Sequence, residues 1–295
     1  MKILLVGKNG QLGFELQTSL PSLGDVRAIG RQDCDLSDEV AIRRLVRNHR
    51  PDVIVNAAAY TAVDQAQSEP VLAQAINTRA PAVLAEEAQQ LGALLVHFST
   101  DYIFDGHKDG IYTETDTPNP QNVYGQTKWA GELAVQVGCP HHLILRTSWV
   151  VGVHGSNFAK TILRLAMERE SLSIVADQFG APTSAAFLAR VTAKLIQRAV
   201  ESESGDFLYG IYHVVPRGMT TWYDYACYVI EQARRAGHPI RVLPSAIHSI
   251  TTAEYPTPAK RPANTRLDTN KLRRTLGIEL PDWQEGVDEV LGQIL

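Results

Sequence analysis

Lys2-Ile3-Leu4-Leu5-Val6-Gly7-Lys8-Asn9-Gly10-Gln11-Leu12-Gly13 opens the chain and decides how the rest is read. Ile3 to Val6 is a continuous apolar run closed by glycine, the pattern of a parallel strand buried on both faces. Phe14, Leu16 and Leu20 follow with helical spacing. Strand, glycine turn and helix in that order put backbone N–H groups and the positive helix end where a pyrophosphate can lie. The spacing is Gly-x-x-Gly-x-x-Gly, not the commoner Gly-x-Gly-x-x-Gly, so a purely structural turn stays open beside dinucleotide binding.

Outward from this turn the pattern repeats. Residues 25–29 read as a second strand, followed by Gly30-Arg31-Gln32-Asp33-Cys34-Asp35-Leu36. An acid directly after this strand would hold an adenosine ribose hydroxyl, whereas an arginine accommodates a 2′-phosphate. Arg31 leans the choice toward NADP. Asp35 is the candidate for an edge contact to adenine, with turn or helix-cap chemistry as its alternative. Residues 37–49 form an amphipathic helix, and Val53-Ile54-Val55 is a third buried strand ending at Asn56-Ala57-Ala58-Ala59-Tyr60-Thr61. Small residues there let a ligand lie against the backbone, at the sheet end where open α/β folds bind cofactors; an alanine-rich helix start is the other reading. A helix from Glu69-Pro70, another over 81–91 stopped by Gly92, and a fourth strand over 94–98 bring Ser99-Thr100-Asp101 to the same end. Three loops converge on one crevice.

Residues 124–137 have helical spacing, and 142–146 form a fifth strand closing with Thr147-Ser148-Trp149-Val150. This βα alternation predicts an α/β fold with a Rossmann-type doubly wound parallel sheet over 1–150. After Val151 the alternation weakens, and 151–295 is expected to be mainly a smaller C-terminal α/β substrate domain, with residues 184–215 returning to the first domain as a long helix and a strand. Thr221 would cap a helix running to Arg235. The prolines of Tyr255-Pro256-Thr257-Pro258-Ala259-Lys260-Arg261-Pro262 exclude a central strand or helix interior. This segment is a loop over a cleft or a surface connection, where Lys260 and Arg261 meet a diphosphate or are simply solvated.

Composition bounds the function. At 295 residues, 44% hydrophobic and 20% charged with net charge -4, the chain suits a soluble enzyme and carries no basic run for a nucleic acid. No apolar run is long enough for a bilayer or a signal-peptide core. Cys34, Cys139 and Cys227 lack paired spacing, which fits inert thiols in a reducing cytoplasm. The histidines have no partner at a metal-ligand spacing, and no metal site is expected. Tyr124 and Lys128 stand four apart on a predicted helix, so phenol and ammonium leave one face. A nearby cation favours the phenolate and would draw the tyrosine toward the working pH as a proton donor; a solvated lysine on an ordinary helix is the alternative.

Taken together, Gly7-x-x-Gly10-x-x-Gly13, Asn56-Ala57-Ala58, Ser99-Thr100-Asp101-Tyr102 and Tyr124-x-x-x-Lys128 resemble the extended short-chain dehydrogenase/reductase superfamily. Within it, the segments 99–106, 122–128, 146–150, 177–183 and 258–262 resemble the dTDP-4-dehydrorhamnose reductase family nearly end to end. That resemblance implies reduction of the 4-keto group of dTDP-4-dehydro-β-L-rhamnose to dTDP-L-rhamnose with NADPH or NADH, the last step in supplying rhamnose for cell-surface polysaccharide. It implies that Tyr124 donates the proton, Lys128 holds the nicotinamide ribose, and Thr100 binds the reacting oxygen or the phenol. It places Gly10, Gln11 and Leu12 at the cofactor turn, Asp35 and Leu36 at adenine, Ala59, Tyr60 and Thr61 beside the dinucleotide, and Asp101 and Trp149 along the sugar. Some relatives form magnesium-bridged dimers through acidic side chains. Here Glu15 is present, but Ala186 and Arg190 stand where carboxylates would be needed, so no magnesium requirement is expected, while a homodimer stays open. The same triad serves reductases and epimerases of related nucleotide sugars, and some non-catalytic regulatory relatives keep the fold.

Overall fold

Ile3 and Leu5 of β1 (Lys2–Val6) enter one hydrophobic core and Leu4 and Val6 enter another, on opposite faces of the same strand. That double burial is why the run carries no polar alternation. The protein, a computed structural model describing residues 1–202 and 207–295, continues from β1 through α1 (Gln11–Ser19), β2 (Asp25–Ile29), α2 (Glu39–His49) and β3 (Val53–Asn56). Then come the short α3 (Val63–Ala66) and α4 (Pro70–Gln74), α5 (Ala80–Leu91), β4 (Leu94–Thr100), α6 (Val123–Gly138) and β5 (His142–Thr147). These five strands and a later one form a six-stranded parallel sheet in which β1 lies between β2 and β3. The chain reverses its direction of travel across the sheet at that point. The crevice outside β1 and β3 is therefore the topological switch point, where such sheets bind ligands.

Local chemistry adjusts the boundaries. Helix α2 begins at Glu39 rather than Ser37, because the Asp38 carboxylate accepts from the N–H groups of Val40 and Ala41. Between α4 and α5 the chain makes a π-helical turn at Ala75–Arg79, which no simple periodicity announces. It aims Asn77 inward: the side chain accepts from Tyr60 N at 2.8 Å and donates to Tyr60 O and Thr127 Oγ1, both at 3.1 Å. One amide thus ties the loop after β3 to α6. Asn122 caps α6 by accepting from Gly125 N at 2.8 Å. The buried Arg146 of β5 clamps the middle of the helix, donating through Nη2 to Glu132 at 2.7 Å.

Beyond β5 come β6 (Val150–Val151), α7 (Phe158–Glu168), β7 (Leu172–Val175), β8 (Phe179–Gly180), β9 (Thr183–Ser184) and α8 (Ala185–Glu201). The chain ends with β10 (Gly210–His213), β11 (Thr220–Thr221), α9 (Trp222–Arg235), β12 (Ile247–Ile250), α10 (Asn270–Leu276) and α11 (Trp283–Ile294). Strand β10 pairs parallel with β5 as the sixth sheet strand, and α8 lies in the core beside α1. Helices α7, α9 and α11 build a separate core with β7 and β12. Leu272 and Leu276 of α10 cross back to the sheet core. No expectation covered α10 and α11, although Asp282-x-x-Glu285 is a capping box readable in the sequence and is formed in the structure. Among the described residues, no helix is long and apolar enough to cross a membrane.

The π turn presses its carbonyl on α6. A Cβ on Gly131 would stand 2.1 Å from Asn77 O, a backbone atom that cannot yield cheaply. Gly131→Ala should therefore cost about 1–3 kcal/mol as overpacking, read as a lowered midpoint in urea; an unchanged midpoint would show that α6 has slack against the turn.

Candidate active site

A cleft of about 480 Å³ lies at the switch point, lined by the glycine turn, the loops after β2 and β3, and the ends of β4 and β5. Gly7 turns with φ 96°, and a Cβ there would come within 2.7 Å of Ala58 N, so the two loops touch backbone to backbone. Of the expected cofactor residues, Gly7, Gly10, Gln11, Leu12, Arg31, Asp35, Leu36, Ala57, Ala59, Thr61, Tyr124 and Lys128 all line this one cleft. Gly13 packs instead: its Cβ would lie 2.0 Å from Gly7 O. Tyr60 turns its hydroxyl to Glu69 Oε2, donating at 2.7 Å. Helix α1 has Gly10 at its cap, with no side chain bonded to the first-turn N–H groups. Those donors and the positive helix end face an anion site.

The carboxylates beyond β2 are engaged. Asp33 accepts from Lys8 Nζ at 2.7 Å and Gly30 N at 2.8 Å, which holds it below the usual carboxylate range. Asp35 accepts from Ser37 N and Oγ, both at 2.9 Å, so its turn role and its place on the cleft coexist. Arg31, on the same wall, has no ion pair among the described residues.

At the other end of the cleft the catalytic candidates gather. Thr100 ends β4, and its hydroxyl donates to Asp101 Oδ1 at 2.9 Å and accepts from Tyr102 N at 3.2 Å, close to the Tyr124 phenol. Lys128 is buried, donates to Phe98 O at 2.5 Å, and lies 3.4 Å from His97 Nε2. His97 Nδ1 in turn faces Asn56 Nδ2 at 3.1 Å. Burial, and then the Lys128 ammonium, hold His97 neutral, well below its usual value. Burial also brings Lys128 down to about 8, against the pull of Glu132. The expectation that Lys128 draws the phenol down is not met here: burial pushes Tyr124 up to about 12, with Thr100 acting in the opposite direction. The physical reason is that the phenol is buried, while the lysine points to the Phe98 carbonyl. Burial likewise raises Asp101 to about 7, although Thr100 and Thr265 favour its ionised form.

The expected sugar-side residues spread further. Trp149 adopts φ 44° and stacks on Trp222 with centroids 3.6 Å apart; Trp222 Nε1 donates to Gln178 Oε1 at 3.1 Å. The proline-rich loop is tied to α3 and to the start of α6. Ala259 N donates to Asp64 Oδ1 at 3.1 Å, Asn122 Nδ2 donates to Lys260 O at 2.8 Å, and Arg261 pairs with Asp64 Oδ2 at 2.7 Å. Lys260 Nζ reaches Gln121 Oε1 at 3.4 Å. Both cations thus have partners of their own. Sequence reasoning missed Asn77, Trp222, Thr147 and the Gly155-Ser156 loop; of these Thr147, Gly155 and Ser156 line the cleft. Ser99 Oγ and Thr147 Oγ1 are buried on the cleft wall with no partner, as groups awaiting a ligand would be.

A parallel sheet carrying a dinucleotide cleft, with threonine, tyrosine and lysine at its end, defines an oxidoreductase of the extended short-chain dehydrogenase/reductase type. The family description "RmlD substrate binding domain" matches residues 1–295. A protein of Escherichia coli K12 named dTDP-4-dehydrorhamnose reductase is 49% identical over 298 residues, covering 100% of this chain and 98% of its own. The crystal structure of a dTDP-4-dehydrorhamnose reductase from Clostridium acetobutylicum superposes with a TM-score of 0.90 at 38% identity, covering 100% and 99% of the two chains. One from Bacillus anthracis in complex with NADP has a TM-score of 0.90 at 36% identity and 99% coverage of each. The chain belongs to the dTDP-4-dehydrorhamnose reductase family.

The raised Asp101 carboxyl has a stability consequence of definite sign. A carboxyl whose folded value lies above its ordinary 3.8 stabilises fully below that value, and the contribution is lost as pH rises through about 7. His97 and His213 titrate oppositely but equally in wild type and variant. Between about pH 5 and pH 8, Asp101→Asn should therefore gain melting temperature relative to wild type. A difference that stays constant with pH would show that the Asp101 carboxyl is not raised in the folded protein.

Proposed function

We propose that the chain reduces the 4-keto group of dTDP-4-dehydro-β-L-rhamnose to dTDP-L-rhamnose, with NADPH preferred over NADH. The observation that carries the reading is Tyr124 and Lys128 lining the dinucleotide cleft, with Thr100 near the phenol at the end of β4, in a chain 49% identical, end to end, to the Escherichia coli reductase. The cleft fits a dinucleotide: free N–H groups at the α1 end suit its pyrophosphate, and the orphaned hydroxyls of Ser99 and Thr147 suit its polar head. Arg31, with Asp33 and Asp35 turned to other partners, supports NADPH, as does NADP in the Bacillus anthracis relative. The reading assigns the chain to the cytoplasm, as the compartment that supplies reduced nicotinamide and nucleotide sugar.

When bound, the reduced nicotinamide supplies the hydride. The residues do the rest. Thr100 and Tyr124 hold the ketone oxygen, and Tyr124 donates a proton to it as negative charge develops, which is where donors act most strongly in a dry site. Lys128 orients the nicotinamide ribose and, while charged, stabilises the phenolate. Asp101 and Trp149 line the sugar, the indole face suiting its apolar C–H surface, and Lys260 and Arg261 lie near the diphosphate path. Arg261 would exchange Asp64 for phosphate oxygens.

Purified protein, NADPH and enzymatically prepared dTDP-4-dehydrorhamnose should give cofactor oxidation and dTDP-L-rhamnose. No oxidation by protein that binds NADPH would sink the reading, and a 4-epimer formed without net oxidation would make the protein an epimerase. Tyr124→Phe should keep cofactor affinity and lose turnover by about 10²-fold or more; wild-type turnover would place the proton donor elsewhere.

The reading includes catalysis without magnesium. Arg190 lies 3.0 and 3.2 Å from the two oxygens of Glu289, and Glu15, raised by burial and then by Glu289, is drawn back by Arg190, so a cation of the chain itself serves these carboxylates. Turnover should survive exhaustive chelation; activity lost in chelator and restored by magnesium would refute this.

A further inference from the structure

The connection from β6 into α7, residues 152–157, lies across the first turn of α1 and is fastened to it. Gln11, the first residue of α1, accepts at Oε1 from Asn157 Nδ2 at 3.0 Å and donates from Nε2 to Val150 O at 3.3 Å. A Cβ on Gly152 would stand 3.5 Å from Gln11 Cβ, and one on Gly155 3.4 Å from Gln11 Cγ, so the side chain packs against both glycines. Three residues along α1, the Phe14 ring stacks on His154 with centroids 4.7 Å apart and planes 4° apart. From the other side, Lys160 of α7 donates to Val153 O and, at 2.9 Å, to Gly155 O. Asn157 also donates to Gly152 O at 2.8 Å and caps α7 by accepting from Lys160 N at 3.1 Å. The connection is a strap held from both lobes. Gly155 and Ser156 of the strap line the dinucleotide cleft together with Gly10 and Gln11. Ser156 is exposed, and its hydroxyl has no hydrogen bond among the described residues.

We propose that this strap completes the pyrophosphate site: Ser156 donates its hydroxyl to a pyrophosphate oxygen of the dinucleotide, and Gln11 and Asn157 are the positioning residues that hold it there. This rests on the dinucleotide-binding part of the reductase reading. The end of α1 offers its backbone N–H groups from one side of the cleft only. A pyrophosphate has charged oxygens on both of its phosphates, and those turned away from α1 need donors from elsewhere. Ser156 is a free donor on the facing wall, and a hydroxyl bonded to a charged oxygen makes a short, strong bond. The Gln11 amide is engaged at both its oxygen and its nitrogen, so its contribution to the cofactor is made through the strap. Fastening from α1 and α7 sets the course of the strap before the ligand arrives, which reduces the ordering cost of binding. The nucleotide sugar carries a diphosphate too, but Ser156 shares its wall with Gly10 and Gln11, and the geometry favours the cofactor's.

The test titrates the full chain with three ligands: NADPH, adenosine 2′-monophosphate, which lacks the pyrophosphate, and thymidine diphosphate. Ser156→Ala should weaken NADPH by about tenfold, as loss of one hydrogen bond to a charged group does, and leave the other two ligands as in wild type. Ser156→Thr keeps the hydroxyl and should keep the affinity for NADPH. Asn157→Ser still offers a cap to α7 but is too short to reach Gln11, and should weaken NADPH without weakening adenosine 2′-monophosphate. In turnover, Ser156→Ala and Asn157→Ser should raise KM for NADPH more than they lower kcat. Wild-type affinity for NADPH in Ser156→Ala would overturn the assignment. An equal loss for adenosine 2′-monophosphate would overturn it as a general disturbance of the cleft, and a loss confined to thymidine diphosphate would give the strap to the nucleotide sugar instead. Wild-type protein that binds NADPH without oxidising it overturns the reductase reading alone; wild-type protein that does not bind NADPH overturns both.

Discussion

The face of α6 that carries Tyr124 and Lys128 depends on one buried ion pair. Tyr124, Lys128 and Glu132 follow each other at intervals of four, so they share a stripe of the helix. Glu132 is gripped by Arg146 of β5 through Nε at 3.0 and 3.2 Å and Nη2 at 2.7 Å, with the two side chains 0% and 1% exposed. Such a pair is weak evidence for stability, because desolvation offsets much of its attraction. Its planar, bidentate geometry fixes rotation and axial position together. The remaining Arg146 nitrogen lies 3.4 Å from His213, which burial and the guanidinium bring down to about 3, so no second positive charge competes for the site. The helix carrying the phenol and ammonium is thereby registered to the sheet that carries Thr100.

Desolvation then sets the charges at the cleft end. Tyr124, Lys128, Asp101 and His97 are all moved toward their neutral forms, and burial is the largest cause for each. A site so poised holds its protons close to neutral pH, and any charge brought or formed there is felt strongly, because little water screens it. The unpartnered oxygens of Ser99, Thr147 and Asp101 belong to the same picture. Buried polar atoms left open cost stability, and here they are concentrated where the β4 and β5 strand ends meet the cleft and the start of the second lobe.

The sheet was legible because parallel strands buried on both faces leave continuous apolar runs, and because glycine at residue 7 is required by close contact with the backbone of Ala57 and Ala58. The Tyr124, Lys128 and Thr100 grouping was legible for a related reason: strand order carried Thr100 to the same sheet end as the glycine turn. The rest depended on contacts distant in sequence. Glu132 looks like any helical glutamate until Arg146 is placed opposite it, and Asn77 points inward only because a π turn inserts a residue into the helix. The raised phenol was equally hidden. Spacing puts Lys128 on the face of Tyr124, but only packing shows the ammonium spent on Phe98 O.

Trp149 joins the two lobes and carries a local strain that explains its neighbours. A bulky side chain at φ 44° is disfavoured by about 1–3 kcal/mol, and it persists where surroundings over-determine it. Trp222 of α9 stacks on one indole face at 3.6 Å, and a Cβ on Gly180 would stand 2.7 Å from indole Cε2, so strand β8 closes in where only glycine fits. Ser148, the residue before, donates to Ala181 O at 2.8 Å and secures the turn. The left-handed residue redirects the chain from β5 into β6, which pairs with β9 just before α8. The strain therefore sits at the exit from the cofactor sheet and is relieved by packing from the second lobe. Displacing α9 or β8 would release the indole, so the place of Trp149 is set by elements outside the parallel sheet.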